Sequence, residues 1–213
     1  MSDNLLRDIP KGAYYRLVLL HGWGADADDL MPLGQELCQA IEPPVELVAL
    51  RAQQLHPQGL GRQWYGLSSS DWVALREGMG GSDWAAVPDA ISQLQTRLKA
   101  LETPEIPLQR TALLGFSQGG AMALASGCDL PLAGLIGCSA YPHPNWVAPS
   151  IRPAVLLLHG RQDEVVPYAA SEQLLKSLKT SGLETALVSF EGGHCIPGEL
   201  IPRIQQALIS WFH

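Results

Sequence analysis

A chain of 213 residues, 46% hydrophobic and 16% charged, is long enough to bury one sizeable core and short for two domains. Its formal charge of −7 argues against nucleic acid or an anionic membrane surface as the main partner, since neither attracts an acidic protein. Residues 1–12 lack the apolar core of a signal peptide, and the longest apolar stretch, 130–141, falls short of the roughly 18 residues a bilayer helix needs. A cytoplasmic protein without stable membrane insertion is therefore expected.

Apolar runs alternate with helical periodicity along most of the chain. This pattern predicts an α/β fold, a mainly parallel central sheet with helices on both faces, in a single domain over 1–213. The first predicted strand, Tyr15–Leu20, runs into His21-Gly22-Trp23-Gly24. A helix with the apolar stripe Leu30, Leu33, Leu37 and Ile41 follows, and then a strand over Val45–Leu50. Between 51 and 85 the alternation lapses into a long Trp/Gly-rich loop region, a length that is usually functional in a compact domain. Trp64, Tyr65, Trp72 and Trp84 give that region enough aromatic surface either to cover a sheet edge or to wall a substrate cleft. Val87, Ile91, Leu94, Leu98 and Leu101 mark the next helix, which leads into a strand over Thr111–Phe116. Strands over 132–138 and 154–159 come next, then a helix through Ala170, Leu174 and Leu178 with Pro167 at its first turn. A strand over Thr185–Phe190 and a helix through Ile201, Ile204, Leu208 and Trp211 complete the series.

In open α/β sheets, groups that act on ligands gather at the carboxyl ends of strands. One such end is Gly115-Phe116-Ser117-Gln118-Gly119-Gly120, a strand–turn–helix corner able to lift a serine hydroxyl out of the sheet. Gly115 and Gly119 flank Ser117 because Cβ atoms there would collide with neighbouring backbone. A serine needs a base to take its proton and a third group to orient that base. His194 follows Gly192-Gly193 after a predicted strand and is the candidate base. His21 and His159 sit on tight glycine turns where structural roles fit, His56 lies in the long loop, His143 stands between prolines and His213 is terminal. Asp163, shortly after a strand, is the candidate orienter, with Glu164 beside it as the alternative. The backbone N–H groups of Gln118 and Trp23 are the candidate donors to an oxyanion. Cys38, Cys128 and Cys138 read as core or near-core residues, whereas Cys195, beside the candidate base, is placed to line a pocket. No cysteine or histidine spacing suggests a metal, and no phosphate-binding loop is present.

The run from Gly115 to Leu124, the His159-Gly160-x-x-Asp163-x-Val165-Val166-Pro167 segment and Gly193-His194 together resemble the phospholipase/carboxylesterase family, which includes acyl-protein thioesterases. The resemblance extends from about Tyr15 to Phe212. It implies an α/β-hydrolase fold without a large cap domain and no cofactor. It also implies ester hydrolysis through Ser117, Asp163 and His194, with Trp23 and Gln118 at the oxyanion. Two departures stand out: Trp64-Tyr65-Gly66 replaces the family's Trp-Tyr/Phe-Asp, and the acid usual after the early His-Gly-x-Gly is displaced to Asp26. Both bear on the acyl pocket, for which Trp64, Tyr65 and Cys195 are the candidate substrate-binding residues. The expected activity is hydrolysis of short- to medium-chain carboxylic esters by a monomer or homodimer. The alternatives are a thioesterase or lysophospholipase acting on longer acyl chains, or a non-catalytic hydrolase-like binding module.

Overall fold

Strands buried on both faces must be apolar at every position, and this requirement organises the molecule. The structure is a computed structural model that describes residues 4–77, 84–149 and 153–212. Its strands are β1 (Leu5–Asp8), β2 (Tyr15–Leu20), β3 (Val45–Leu50), β4 (Gln54–Leu55), β5 (Arg62–Gln63), β6 (Thr111–Phe116), β7 (Gly134–Cys138), β8 (Ala154–Gly160) and β9 (Thr185–Phe190). Its α-helices are α1 (Met31–Cys38), α2 (Ser69–Arg76), α3 (Val87–Lys99), α4 (Gln118–Gly127), α5 (Tyr168–Thr180) and α6 (Ile201–Phe212).

Seven strands form one sheet in the order β1-β3-β2-β6-β7-β8-β9, and every pairing is parallel except β1 against β3. All six residues of β2 and of β3 are buried. Alternate residues of β2 serve opposite faces. Val18 and Leu20 join Leu94 of α3, Leu124 of α4 and Leu174 of α5 in one core, whereas Leu17 and Leu19 join Leu37 of α1 and Leu208 of α6 in the other. Each such side chain contributes about 1.5–3 kcal/mol on burial, so both layers of helices are held to the sheet by its own pleat. The expected α/β-hydrolase architecture is therefore present, with no large cap among the described residues.

Strand order places the site. The chain leaves β2 through α1 on one face to reach β3, then returns past β2 to start β6, which leaves through α4 on the opposite face. Loops that depart to opposite faces from adjacent strands leave a crevice between them, where ligands bind in such sheets. The crevice is flanked by His21–Gly24 and Ser117.

Several elements differ from what the sequence pattern predicts, among them α1, which ends at Cys38 short of Ile41. The strand expected over 132–138 begins only at Gly134, because the Leu132 amide is turned back onto the Leu130 carbonyl at 2.8 Å. The N-terminal segment contributes an unforeseen strand, β1, which pairs along the edge of β3. The loop region 51–85 is partly regular: it holds the β4–β5 pair and α2, whose Ser68 N-cap and Asp71 form a reciprocal capping box. Residues 78–83 of that region lie outside the described residues.

Candidate active site

Ser117 occupies the corner between β6 and α4 with φ 55° and ψ −120°, a left-handed backbone that costs a non-glycine residue about 1–3 kcal/mol. Its amide donates to the Cys138 carbonyl at 2.8 Å, and its carbonyl accepts the Ala121 amide at 3.0 Å, so the turn is tied to β7 and to the first turn of α4. The flanking glycines are required, as expected. A Cβ on Gly115 would lie 2.1 Å from the Gly119 carbonyl oxygen, and one on Gly119 would lie 2.2 Å from that of Leu20.

Asp163 and His194 are brought together by a similar close approach. The end of β8 lies so near the loop after β9 that a Cβ on Gly160 would stand 2.3 Å from the Gly192 carbonyl oxygen. The Arg161 amide donates to Phe190 and the Gln162 amide to Gly192, each at 2.9 Å, which registers the two loops against each other. Across that register His194 Nδ1–H donates to Asp163 Oδ2 at 2.7 Å. With the proton on Nδ1, the basic nitrogen of His194 is Nε2. The imidazole lies 4.7 Å, centroid to centroid, from Phe116, the residue before Ser117. Among the described residues no hydrogen bond joins the Ser117 hydroxyl to His194.

Asp163 is held by more than one imidazole. Its Oδ1 accepts the Val165 and Val166 amides at 2.9 and 2.8 Å, and His159 Nε2 stands 3.3 Å from Oδ2. Burial alone would push this carboxyl up, but the hydrogen bonds from His159, His194 and Val166 outweigh it and hold the group well below the usual carboxylate range. His159 is itself fully buried, with Nε2–H also donating to the Val166 carbonyl at 2.9 Å and Nδ1 accepting from the Ser171 hydroxyl at 2.7 Å. The sequence marks His159 as structural; its contact with Asp163 emerges only from the fold. Its signal in the sequence is the spacing of four to Asp163 across a strand end.

His21, His56 and His143 serve the interior, and His213 lies outside the described residues. His21 Nδ1–H donates to the Gly22 carbonyl at 2.8 Å while Nε2 accepts the Ala52 amide at 3.1 Å, and burial lowers its pKa. His143 is buried with Nε2 2.8 Å from the Tyr65 hydroxyl, and burial lowers its pKa to about 3. The Trp23 ring stacks edge-on against His56 and Trp72, and its Nε1–H donates to Gln63 Oε1 at 2.9 Å. Its neighbours' amides are occupied, Gly24 by Arg62 and Ala25 by Gly22, whereas among the described residues the Trp23 amide meets no acceptor. The Gln118 amide heads α4, where no intrahelical acceptor exists.

Trp64 and Tyr65 are interior residues, 6% and 0% exposed, and brace the loops around them. Trp64 Nε1–H donates to the His21 carbonyl at 2.8 Å, and the Tyr65 hydroxyl pairs with that of Tyr141 at 2.9 Å. Cys195 is exposed beside His194, Cys128 and Cys138 are buried, and Cys38 is half-buried. Burial pushes the thiols of Cys38 and Cys128 up to about 12. A cleft lined by Leu75, Trp84, His143, Trp146 and Ala170 opens between α2 and α5; Ser117, Asp163 and His194 do not line it. Among the described residues no group of His, Cys, Asp or Glu is arranged to hold a metal ion, and no helix is long and apolar enough to cross a membrane.

Residues 11–212 match the family model described as Phospholipase/Carboxylesterase. The chain belongs to the phospholipase/carboxylesterase family. Acyl-protein thioesterase 1 of Yarrowia lipolytica is 26% identical over 164 residues, a match covering 71% of this chain and 70% of the relative. Among solved structures, esterase PE8 is 29% identical with a TM-score of 0.81, covering 97% of this chain and 96% of that one. SOBER1 of Arabidopsis thaliana shares the fold, with a TM-score of 0.77 at 20% identity over 93% of this chain and 99% of that one. As a member of the phospholipase/carboxylesterase family, the chain is a hydrolase of the carboxylic-ester type.

Proposed function

We propose that this protein is a serine esterase that cleaves short- to medium-chain carboxylic esters through an acyl-enzyme on Ser117. The observation that carries the reading is the 2.7 Å bond from His194 Nδ1–H to Asp163, formed next to a strained serine turn. His194 Nε2 takes the Ser117 proton as the hydroxyl attacks the ester carbonyl, then gives it to the departing alcohol; water repeats the sequence and frees the acid. Asp163 stays ionised throughout and keeps the imidazole in the Nδ1–H tautomer. The Trp23 and Gln118 amides receive the oxyanion. Serine–histidine hydrogen bonds are often loose without substrate and tighten in the reacting complex, which accords with an imidazole resting against Phe116. A cytoplasmic monomer or homodimer accords with this reading.

Hydrolysis of longer acyl thioesters is the second reading. The curated relatives named acyl-protein thioesterase favour it. Turnover of nitrophenyl acetate and butyrate is expected to exceed that of palmitoyl thioesters; the reverse ranking would replace the first reading with the second. A fluorophosphonate probe is expected to label Ser117, and Ser117→Ala is expected to fold normally without turnover. Residual activity in that variant, or an unlabelled serine in the parent, removes both readings.

A further inference from the structure

The two proposed oxyanion amides come from residues 95 positions apart, Trp23 and Gln118, on separate loops. Parallel pairing fixes β2 against β6 only as far as Leu20 opposite Gly115. Beyond those residues the loops leave the sheet, and something else must set the distance between the amides. Residues 61–65 touch both loops. The Arg62 carbonyl accepts the Gly24 amide and the Arg62 amide donates to Ala25, each at 2.8 Å, as an isolated antiparallel bridge. Gln63 Oε1 accepts Trp23 Nε1–H at 2.9 Å, and Trp64 Nε1–H donates to the His21 carbonyl at 2.8 Å. On the other side the Trp64 amide donates to Gln118 Oε1 at 2.9 Å, while Gln118 Nε2–H donates to the Tyr65 carbonyl at 2.8 Å. The Gln118 side chain is fully buried, so both ends of its amide are committed to this segment. The approach is tight enough that a Cβ on Gly61 would lie 2.0 Å from the Gly24 carbonyl oxygen.

We propose that residues 61–65 are a positioning strap that sets the separation of the Trp23 and Gln118 amides, so that the strap contributes to oxyanion stabilisation without touching substrate. The inference rests on the serine-esterase reading above. Preorganised donors stabilise a developing charge only when they already point at it, and small misplacements are costly. The strap's hydrogen bonds therefore act on the transition state rather than on ester binding.

The test uses Gln118→Leu, which retains its own backbone amide but releases Trp64 and Tyr65, and Gln63→Leu, which releases the Trp23 ring and the Gln54 side chain but leaves Gln118 bonded. Active sites are counted by end-point fluorophosphonate labelling, so that misfolded protein does not enter the rate. Per labelled site, Gln118→Leu is expected to lower kcat about 10- to 100-fold, and Gln63→Leu by a smaller factor, with KM within about twofold. Affinity for a trifluoromethyl ketone, which forms a tetrahedral adduct, is expected to fall in proportion to kcat/KM. If Gln118→Leu does not fold, Gln63→Leu carries the same comparison. A per-site kcat within about twofold of the parent, or a loss confined to KM, overturns the strap while leaving the triad intact. Retained turnover in Ser117→Ala overturns the underlying esterase reading itself.

Discussion

Asp163 is the residue where stability and chemistry are most closely joined. One carboxylate serves His194, His159 and the Val165 and Val166 amides, more donors than orienting a single base requires. Burial opposes its ionisation and these hydrogen bonds override burial, so its folded pKa lies below the unfolded value. A depressed carboxyl stabilises the fold above its unfolded pKa of about 3.9, and that contribution is lost as pH falls toward the folded value. In Asp163→Asn the acid-side decline in Tm is therefore expected to become shallower than in the parent, as thermal melts from pH 7 down to pH 2 will show. At neutral pH the same variant is expected to lose about 10³- to 10⁴-fold in kcat, because an amide can present its N–H to His194 and select the wrong tautomer. The Ser117 turn and the pairing of Asp163 with His194 were legible because glycines and strand ends announce them. The share of His159 in holding Asp163 was not, since it depends on a burial that only the assembled sheet creates.

At the scale of elements, the long both-face strands and the strongly striped helices were legible, and the short, lightly buried ones were not. β1 is four residues long and half-buried only at Leu5 and Leu6, so its sequence carries little periodicity; its existence depends on the free edge of β3. α2 buries only Leu75 among its eight residues, and the Ser68–Asp71 capping box was its clearest local mark. Helix placement also depends on glycines whose role no periodicity reveals. Gly134, the first residue of β7, lies beneath the Trp211 indole of α6, and a Cβ there would come within 2.1 Å of the ring. Gly134→Ala must therefore push α6 away from the sheet or twist Trp211 off its rotamer, a cost of about 1–3 kcal/mol. The expected result is a lower urea midpoint with an unchanged m-value and near-normal kcat, because α6 packs on the face opposite α4 and the Ser117 turn. A loss of kcat without a loss of stability would contradict that separation.

For the molecule as a whole, the site exists because four strand ends converge, and the convergence is enforced by backbone contacts more than by side chains. β2 and β6 meet where strand order reverses, and β8 and β9 bring Asp163 and His194 to the same rim. The β8–β9 end is the more demanding junction. Gly160 faces the carbonyl oxygens of Gly192 and Gly193, which a Cβ would approach to 2.3 and 2.4 Å. Backbone cannot swing aside as a flexible side chain can, so Gly160→Ala has to part the two loops. Parting them lengthens the Asp163–His194 bond and displaces the imidazole, while Ser117, held by Cys138 and Ala121, stays in place. Displacing a base by about 1 Å costs on the order of 10²-fold in rate, so kcat/KM is expected to fall by about that factor. The outcome distinguishes itself from simple unfolding. The far-UV spectrum of Gly160→Ala should remain native at assay temperature, and fluorophosphonate labelling of Ser117 should slow in parallel with ester turnover, because both reactions need the same base. Labelling and turnover at parental rates would show that the β8–β9 junction tolerates separation and that the acid and base are aligned by other contacts.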